Sequence, residues 1–233
     1  MAQLQNKRQV FEFEQQVVYP KRDIYASLIE KQVILKAFLD FVRLAGLMIL
    51  VTIIVSLDTM VLNQPVSEYS VTEITQTILI LFCALAFAAG AWRQPSSRGF
   101  LVLVAGFFGT MFIRECDAYL DKIQHGFWVT PATLLIALSI TYAWRYKHTV
   151  LTAMAEFAES KHFAYFSFGL VILFFFSRAF GSDYIWTSVM GDNYQYAVKE
   201  TAQEGIELLG YTLVAYGTWL FVRQGDGLFK RHC

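Results

Sequence analysis

The sequence predicts an all-α, polytopic membrane protein, a bundle of six transmembrane helices with both termini in the cytoplasm. Three observations lead to this fold class. Apolar residues make up 56% of the 233 residues and charged residues only 16%, against about 25% charged residues in soluble domains. The apolar residues are concentrated in six runs, each of roughly the length that crosses a bilayer. Lysine and arginine are concentrated in every second connection between those runs.

The six apolar runs are predicted to be helices, because backbone polar groups in lipid must be satisfied within the spanning segment. The strand-like alternation of a membrane barrel is not found in these runs. The connections between them are short, so we expect sequential helices to be antiparallel neighbours. The predicted spans are Ala37–Leu57, Thr75–Trp92, Phe100–Leu120, Phe127–Trp144, Phe163–Phe180 and Gln203–Val222.

The distribution of lysine and arginine predicts the orientation. Of the 19 such residues, seven precede residue 44, two lie between the second and third runs, three lie between the fourth and fifth, and three follow the sixth. The segment Asp58–Ile74 has none. Because positive residues are retained on the cytoplasmic side, both termini are predicted to be cytoplasmic. The short loops and compact size favour a bacterial-type inner membrane.

Three parts of the chain are expected. Residues 1–35 form a cytoplasmic amino-terminal segment, in which the pattern of Asp23–Leu35 is typical of a short amphipathic helix at the membrane surface. Residues 36–223 form the six-helix domain, and residues 224–233 form a cytoplasmic tail. The net charge is zero, so the composition does not indicate a nucleic-acid partner. Membrane lipids are the expected partners, together with a second copy or a larger membrane complex.

Ionisable residues lie within three of the predicted spans, at a similar depth. At a rise of about 1.5 Å per residue, Arg114, Arg178 and Glu207 each lie roughly 21–23 Å from the cytoplasmic end of their helix. An ionised group in lipid costs about 2.5–3.5 kcal/mol at mid-helix even on the lowest scale. We therefore expect the third, fifth and sixth spans to meet around a polar pocket that opens to the external side.

Helical phase sorts the charged residues of two spans into stripes. At about 100° per residue, each stripe covers an arc of roughly 80–100°. Glu115 falls outside its stripe, beside Lys122 on the adjoining face. The first stripe holds Arg114, Asp117, Asp121 and His125, and the second holds Glu200, Gln203, Glu204, Glu207 and Tyr211.

The first functional hypothesis is a metal-assisted hydrolase or transferase that acts on a lipid or lipid-linked substrate. Carboxylates and one histidine are suitable ligands for a divalent metal, which can activate water, and guanidinium groups can bind an anionic headgroup. The loop Gly181–Val198 would act as a lid. The metal ligands would be Asp117, Asp121, His125, Glu200 and Glu204, the catalytic carboxylates Asp117, Asp121, Glu204 and Glu207, and the substrate-binding residues Arg114, Arg178 and Tyr211.

Two alternatives remain open. Intramembrane acids with arginine partners can carry protons or bind cations, which indicates an ion- or proton-coupled transporter subunit that uses Glu204 and Glu207. The same residues can instead form an ion-pair network that only holds helices together, as in a non-catalytic subunit of a membrane complex. Haem binding is not expected, because no two histidines face each other within the predicted spans.

Overall fold

The structure is a computed structural model that describes the backbone of residues 2–61 and 70–228 and the side chains of residues 29–61 and 70–223. Every regular element in these ranges is helical. In chain order the helices are α1 (Ala2–Ser56), α2 (Val71–Arg93), α3 (Arg98–Glu115), α4 (Asp117–Leu120), α5 (Val129–Arg145), α6 (Leu151–Glu159), α7 (Lys161–Val171), α8 (Ser177–Phe180), α9 (Asp183–Met190) and α10 (Tyr196–Leu228). Two π-helical segments, Leu57–Val61 and Ile172–Phe176, and the 3-10 turns Pro95–Ser97, Lys147–Thr149 and Gly191–Asn193 complete the described elements.

Five segments of the described residues are long and apolar enough to cross a membrane. The all-helical fold of membrane-spanning character is therefore confirmed. The predicted fourth span corresponds to α5, which has 17 residues; the count of six spans and the orientation stay predictions. The five segments are Ile29–Val61, Val71–Arg93, Pro95–Glu115, Lys161–Phe180 and Tyr196–Arg223.

The chain divides into two units, Met1–Ile49 and Leu50–Cys233. In the first unit, the described apolar side chains of α1, such as Val33, Ile34 and Phe38, are exposed. The side chains of residues 23–28 in the predicted surface helix Asp23–Leu35 lie outside the described residues, and the surface position of that helix stays a prediction. The predicted tail over 224–233 also lies outside the described side chains.

An aromatic cluster forms the core of the second unit. The ring of Phe87 on α2 has its centroid within 6.2 Å of the centroids of Phe108, Phe157, Phe166 and Phe221. Two of these pairs are stacked and two are edge-to-face, both of which are favourable arrangements for aromatic rings. The cluster joins five helices, α2, α3, α6, α7 and α10, around one apolar centre.

Helix α2 packs against both α3 and α10, α10 also packs against α7, and α3 also packs against α5. The buried residues of α2 recur at intervals of three or four, so they lie on one face of the helix. The second span therefore also contacts the third and the sixth, and the sequence-based prediction of a pocket between the third, fifth and sixth spans did not include it. The buried residues of α2 are Thr72, Gln76, Ile80, Cys83 and Phe87.

Close backbone contact between α7 and α10 depends on glycine. A Cβ atom at Gly169 would lie 2.8 Å from the Gly210 carbonyl oxygen, and one at Gly210 would lie 2.6 Å from Leu173 Cγ. Small residues at helix interfaces permit such approach in membrane bundles. Gly169 and Gly210 therefore permit the close packing of α7 against α10.

The start of α2 is fixed by a buried carboxylate. Asp58 accepts hydrogen bonds from the backbone N–H groups of Val71 and Thr72, both at 2.8 Å, and from the Thr72 hydroxyl at 2.6 Å. Ser70 caps the same helix through the N–H of Glu73, at 3.2 Å. These bonds satisfy N–H groups that have no partner within the helix. They also fix the position of the backbone at Glu73, which lines a polar pocket.

Candidate functional site

A polar pocket of about 210 Å³ lies where the ends of several helices of the second unit meet. Its wall carries five carboxyl groups and two guanidinium groups, an excess of three acids. The structure thus brings together the predicted site residues Arg114, Asp117, Arg178, Glu204 and Glu207. The full lining is Glu73, Arg114, Glu115, Asp117, Ala118, Tyr119, Arg178, Gln203, Glu204 and Glu207.

Glu115 lies in the pocket wall, where the phase argument did not place it. Its Oε1 atom is 2.9 Å from Arg114 Nη2 and accepts a hydrogen bond of 2.7 Å from the Tyr211 hydroxyl. The prediction assumed one regular helix to Leu120 and compared Glu115 with a stripe that continued from Arg114 to His125. The helix ends at Glu115, and Cys116 leaves α-helical geometry at φ −94° and ψ 13°. Residues from Asp117 onward belong to the separate short helix α4.

Tyr211 lies beneath the pocket and does not line it. Its side chain is buried, and its hydroxyl is already engaged with Glu115. The structure therefore places it as a support for Glu115. Because the Tyr211 side chain is buried, it has no exposed surface with which to contact the substrate that it was predicted to bind.

Arg178 and Glu207 form a second ion pair. Arg178 Nη2 lies 3.4 Å from Glu207 Oε1, and Gln203 Nε2 donates to the same oxygen at 3.1 Å. Arg178 follows the π-helical segment Ile172–Phe176. Each π turn holds an additional residue, so the position of Arg178 around its helix does not follow from regular α-helical phase.

The third group consists of Glu73, Gln76 and Glu204, and the sequence argument did not include the first two. Gln76 is fully buried, and its Nε2 atom donates to Glu204 Oε2 at 3.1 Å and to the Glu204 carbonyl at 3.0 Å. The Glu73 and Glu204 side chains line the same wall of the pocket, so their carboxyl groups face a common space. A bond between two carboxyl groups requires a proton on one of them, because an ionised carboxylate has no donor. Glu73 was missed because it lies just before the apolar run that begins at Thr75.

Asp121 and His125 do not line the pocket. Asp121 accepts a hydrogen bond from the Gly126 N–H at 2.9 Å, and its other oxygen lies 3.0 Å from His125 Nδ1. The His125 side chain is 100% exposed, and Gly126 has a positive φ of 78°, which favours glycine. These contacts stabilise a turn between α4 and α5.

Glu200 also lies outside the pocket lining. It accepts a hydrogen bond of 3.0 Å from the hydroxyl of Tyr196, one turn earlier on α10. Among the residues with described side chains, no group of three or more His, Cys, Asp or Glu is arranged to hold a metal ion. The predicted metal-ligand set therefore receives no support from the structure.

The loop predicted as a lid contains α9, a 3-10 turn and the start of α10. Tyr194 donates a hydrogen bond of 2.6 Å to Asp183, and Lys199 Nζ lies 3.3 Å from the same carboxylate. The Tyr194 hydroxyl and then Lys199 lower the pKa of Asp183, while Asp183 raises the pKa of Tyr194 to about 12. At Gly181, a Cβ atom would lie 2.6 Å from Gln203 Cδ, so the loop begins directly against a pocket residue. The lid role stays a prediction.

The fold and the apolar helices define the chain as a helical membrane protein. Comparison with protein-family models, with curated protein sequences and with solved structures finds no match. The function must therefore be inferred from the charge and geometry of the pocket.

Proposed function

We propose that this chain is a six-span inner-membrane protein in which the acidic pocket binds a proton as part of proton-coupled transport. The observation that carries the proposal is the excess of three carboxyl groups over guanidinium groups in a small pocket, whose lining includes both Glu73 and Glu204. The pocket is small for a lipid headgroup, because ligand sites for larger molecules occupy roughly 300–1,000 Å³.

Each of the two arginines forms an ion pair with a different carboxylate. Glu115 is neutralised by Arg114, and Glu207 by Arg178. Of the remaining acids, Asp117 is exposed. Glu73 and Glu204 are left as a carboxyl pair, supported by Gln76.

Two neighbouring carboxyl groups in a poorly solvated site favour a shared proton, because two like charges close together repel each other strongly. Loss of that proton places a second negative charge between α2 and α10, and its return removes that charge. Helix α10 packs against both α2 and α7. A change of charge at Glu204 on α10 therefore alters the electrostatic interaction of α10 with both neighbouring helices. This is the link that we propose between proton binding and movement of a solute.

The positive-inside pattern supports an external position for the pocket. Glu73 lies near the start of α2, Glu115 at the end of α3 and Glu204 near the start of α10. In a six-span bundle with cytoplasmic termini, all three of these helix ends lie on the external side. The apolar core around Phe87 would separate the pocket from the cytoplasm, so the proposed transport requires the helices to rearrange.

The proposal is tested by infrared titration of the protein reconstituted in lipid, following the C=O stretch of protonated carboxyl groups. We expect a pH-dependent band that is lost in Glu73→Gln and in Glu204→Gln. Glu200→Gln is the matched control, because it lies one turn from Glu204 but outside the pocket, and it should keep the band. A band that is unchanged in both pocket variants contradicts proton sharing.

Proton uptake by proteoliposomes carrying an internal pH-sensitive dye tests coupling. A pH gradient should drive faster acidification with the wild-type protein than in protein-free vesicles, and Glu204→Gln should abolish the difference while Glu200→Gln should not. If the solute is required for flux, the wild-type trace will respond only when a mixture of candidate solutes is added. Equal traces with and without protein under every solute condition contradict transport.

A structural ion-pair network is the second candidate, and two local arrangements favour it. Arg114, Glu115 and Tyr211 form one connected set, and Arg178 and Glu207 form another. A purely structural network predicts that Arg178→Met combined with Glu207→Met folds about as well as the wild type, because replacing both partners leaves no unpaired charge. It also predicts that Glu204→Gln changes neither the infrared band nor proton uptake.

A further inference from the structure

A second cavity of about 410 Å³ lies on a different part of the second unit and shares no residue with the acidic pocket. Its walls come from α2, α3 and α5 and are mostly apolar. Characteristic lining residues are Ala84, Ala88, Ala105, Leu135, Tyr142 and Trp92.

The cavity is a groove between α2 and α5, which both pack against α3. Ala84, Ala88 and Ala91 recur at intervals of four and three, so they present one small-residue face of α2. On the other side α3 and α5 approach closely, since a Cβ at Gly109 would lie 2.8 Å from Leu135 Cδ2. Ala88 is exposed within the lining, so the groove is accessible from the side of the bundle that lipid would cover.

Basic residues lie at the end of this groove where three helix ends meet. Helix α2 ends at Arg93, α3 begins at Arg98 and α5 ends at Arg145. The guanidinium of Arg98 lies 4.9 Å from the ring centroid of Tyr146. The sequence has no Asp or Glu between Glu73 and Glu115 or between Asp121 and Glu156. These ends of α2, α3 and α5 therefore carry arginines and no acid within the same segments, and the next acids along the chain, Glu156 and Glu159, lie on α6.

Aromatic residues mark the same end as an interfacial level. Trp92 and Tyr142 line the groove near its basic end, and Trp144 is exposed on α5. Tryptophan and tyrosine are enriched at the headgroup level of membranes. The apolar part of the groove then lies at acyl-chain depth, and Arg93 and Arg145 lie at phosphate depth.

We propose that this groove binds an acyl chain of an anionic phospholipid, whose phosphate contacts Arg93 and Arg145. Apolarity alone does not favour a bound lipid over a bulk one, because lipid tails are as apolar as the groove. Selectivity must come from the fit of the chain into the small-residue face and from the charged end. Basic pockets between transmembrane helices are known to recognise anionic headgroups in this way. A docked partner helix would fill the apolar part but would leave the arginines without an anion.

The test measures lipid retained by the detergent-purified protein, by native mass spectrometry and by thermal stability, after addition of phosphatidylglycerol or phosphatidylcholine. We expect the wild type to retain and be stabilised by phosphatidylglycerol in preference to phosphatidylcholine. Replacing one arginine, Arg93→Gln or Arg145→Gln, should weaken phosphatidylglycerol binding about fivefold, and replacing both should weaken it roughly 25-fold.

Two matched controls separate the site from general effects. Arg223→Gln removes an exposed arginine that stacks on Trp219 of α10, and it should leave phosphatidylglycerol binding unchanged. Ala88→Phe fills the groove and should abolish retention of the lipid, whereas Ile78→Phe, on an exposed part of α2 outside the lining, should not.

Three outcomes overturn the proposal. One is equal retention of the two lipids by the wild type, and another is an equal loss in Arg223→Gln and Arg93→Gln. The third is a wild-type dimer that Ala88→Phe converts to a monomer, because the groove would then hold a second copy of the chain.

Discussion

The hydrogen bond between Tyr211 and Glu115 connects α10 to α3 at the wall of the acidic pocket. The Tyr211 hydroxyl donates to Glu115 Oε1 at 2.7 Å. Tyr211 is 3% exposed and the Glu115 side chain 8% exposed. The substitution Tyr211→Phe removes only the hydroxyl, so the ring packing and the contact of Glu115 with Arg114 are kept.

The expected size of the effect follows from burial. A hydrogen bond to a charged group contributes about 1.5–3 kcal/mol in soluble proteins. Between helices in a membrane, measured couplings average about 0.6 kcal/mol and reach about 1.7 kcal/mol. Because both partners are nearly inaccessible and the acceptor is a carboxylate, we expect the upper part of the membrane range, about 1–1.7 kcal/mol.

A double-mutant cycle of Tyr211→Phe and Glu115→Leu measures this coupling, because leucine has no hydrogen-bond acceptor. The free energy of unfolding is obtained from reversible unfolding of the purified protein with increasing SDS in mixed micelles, followed by circular dichroism. Tyr184→Phe provides the matched control, because Tyr184 is 81% exposed on α9. The change in unfolding free energy caused by Tyr184→Phe should add to the change caused by Glu115→Leu. A coupling below about 0.3 kcal/mol between Tyr211 and Glu115, which is within the error of additivity, would refute the argument.

Two further predictions concern helix packing and the external loop. Gly106→Ala should lower the free energy of unfolding by about 1–3 kcal/mol, because its Cβ would lie 2.6 Å from Ser139 Cβ, and adding Ser139→Gly should restore most of the loss in the same unfolding assay. The contact of Asp183 with Tyr194 should be pH-dependent at both extremes. The lowered pKa of Asp183 means that its stabilisation is present above the ordinary value of 3.8 and is lost as the pH falls below it. The raised pKa of Tyr194 means that its stabilisation is present below 10.0 and is lost as the pH rises through about 12. Tryptophan fluorescence should show both transitions, and Asp183→Asn should remove the acidic one; an unchanged acidic transition in that variant would contradict the assignment.

Local sequence information was sufficient to place several pocket residues at one level. Arg114, Arg178 and Glu207 were expected at similar depths because the rise of a helix is nearly constant, and all three line the same pocket. The depth of a side chain in the membrane changes little at a local irregularity, since one extra or missing residue moves the side chain by only about 1.5 Å along the helix axis.

Helical phase is far less tolerant, and it led to the errors. One irregular residue turns all later side chains by about 100°. The break at Cys116 turns the residues that follow it relative to Arg114 and Glu115, and Asp121 lies in a turn with His125. The π-helical segment before Arg178 has the same kind of effect. Neither irregularity has a signature such as proline in the residues concerned.

The sequence by itself determined that the chain is helical and suited to a membrane, because apolar run length and the need to satisfy backbone groups in lipid are properties of each segment alone. It also determined that charged residues lie at a common depth. Only the tertiary structure decided which helices are neighbours. The position of α2 between α3 and α10, and with it the placement of Glu73 and Glu204 in one pocket, depends on packing between residues far apart in the chain. Contacts of that kind arise from the shapes of helix surfaces fitted to one another, and apolar periodicity does not encode them.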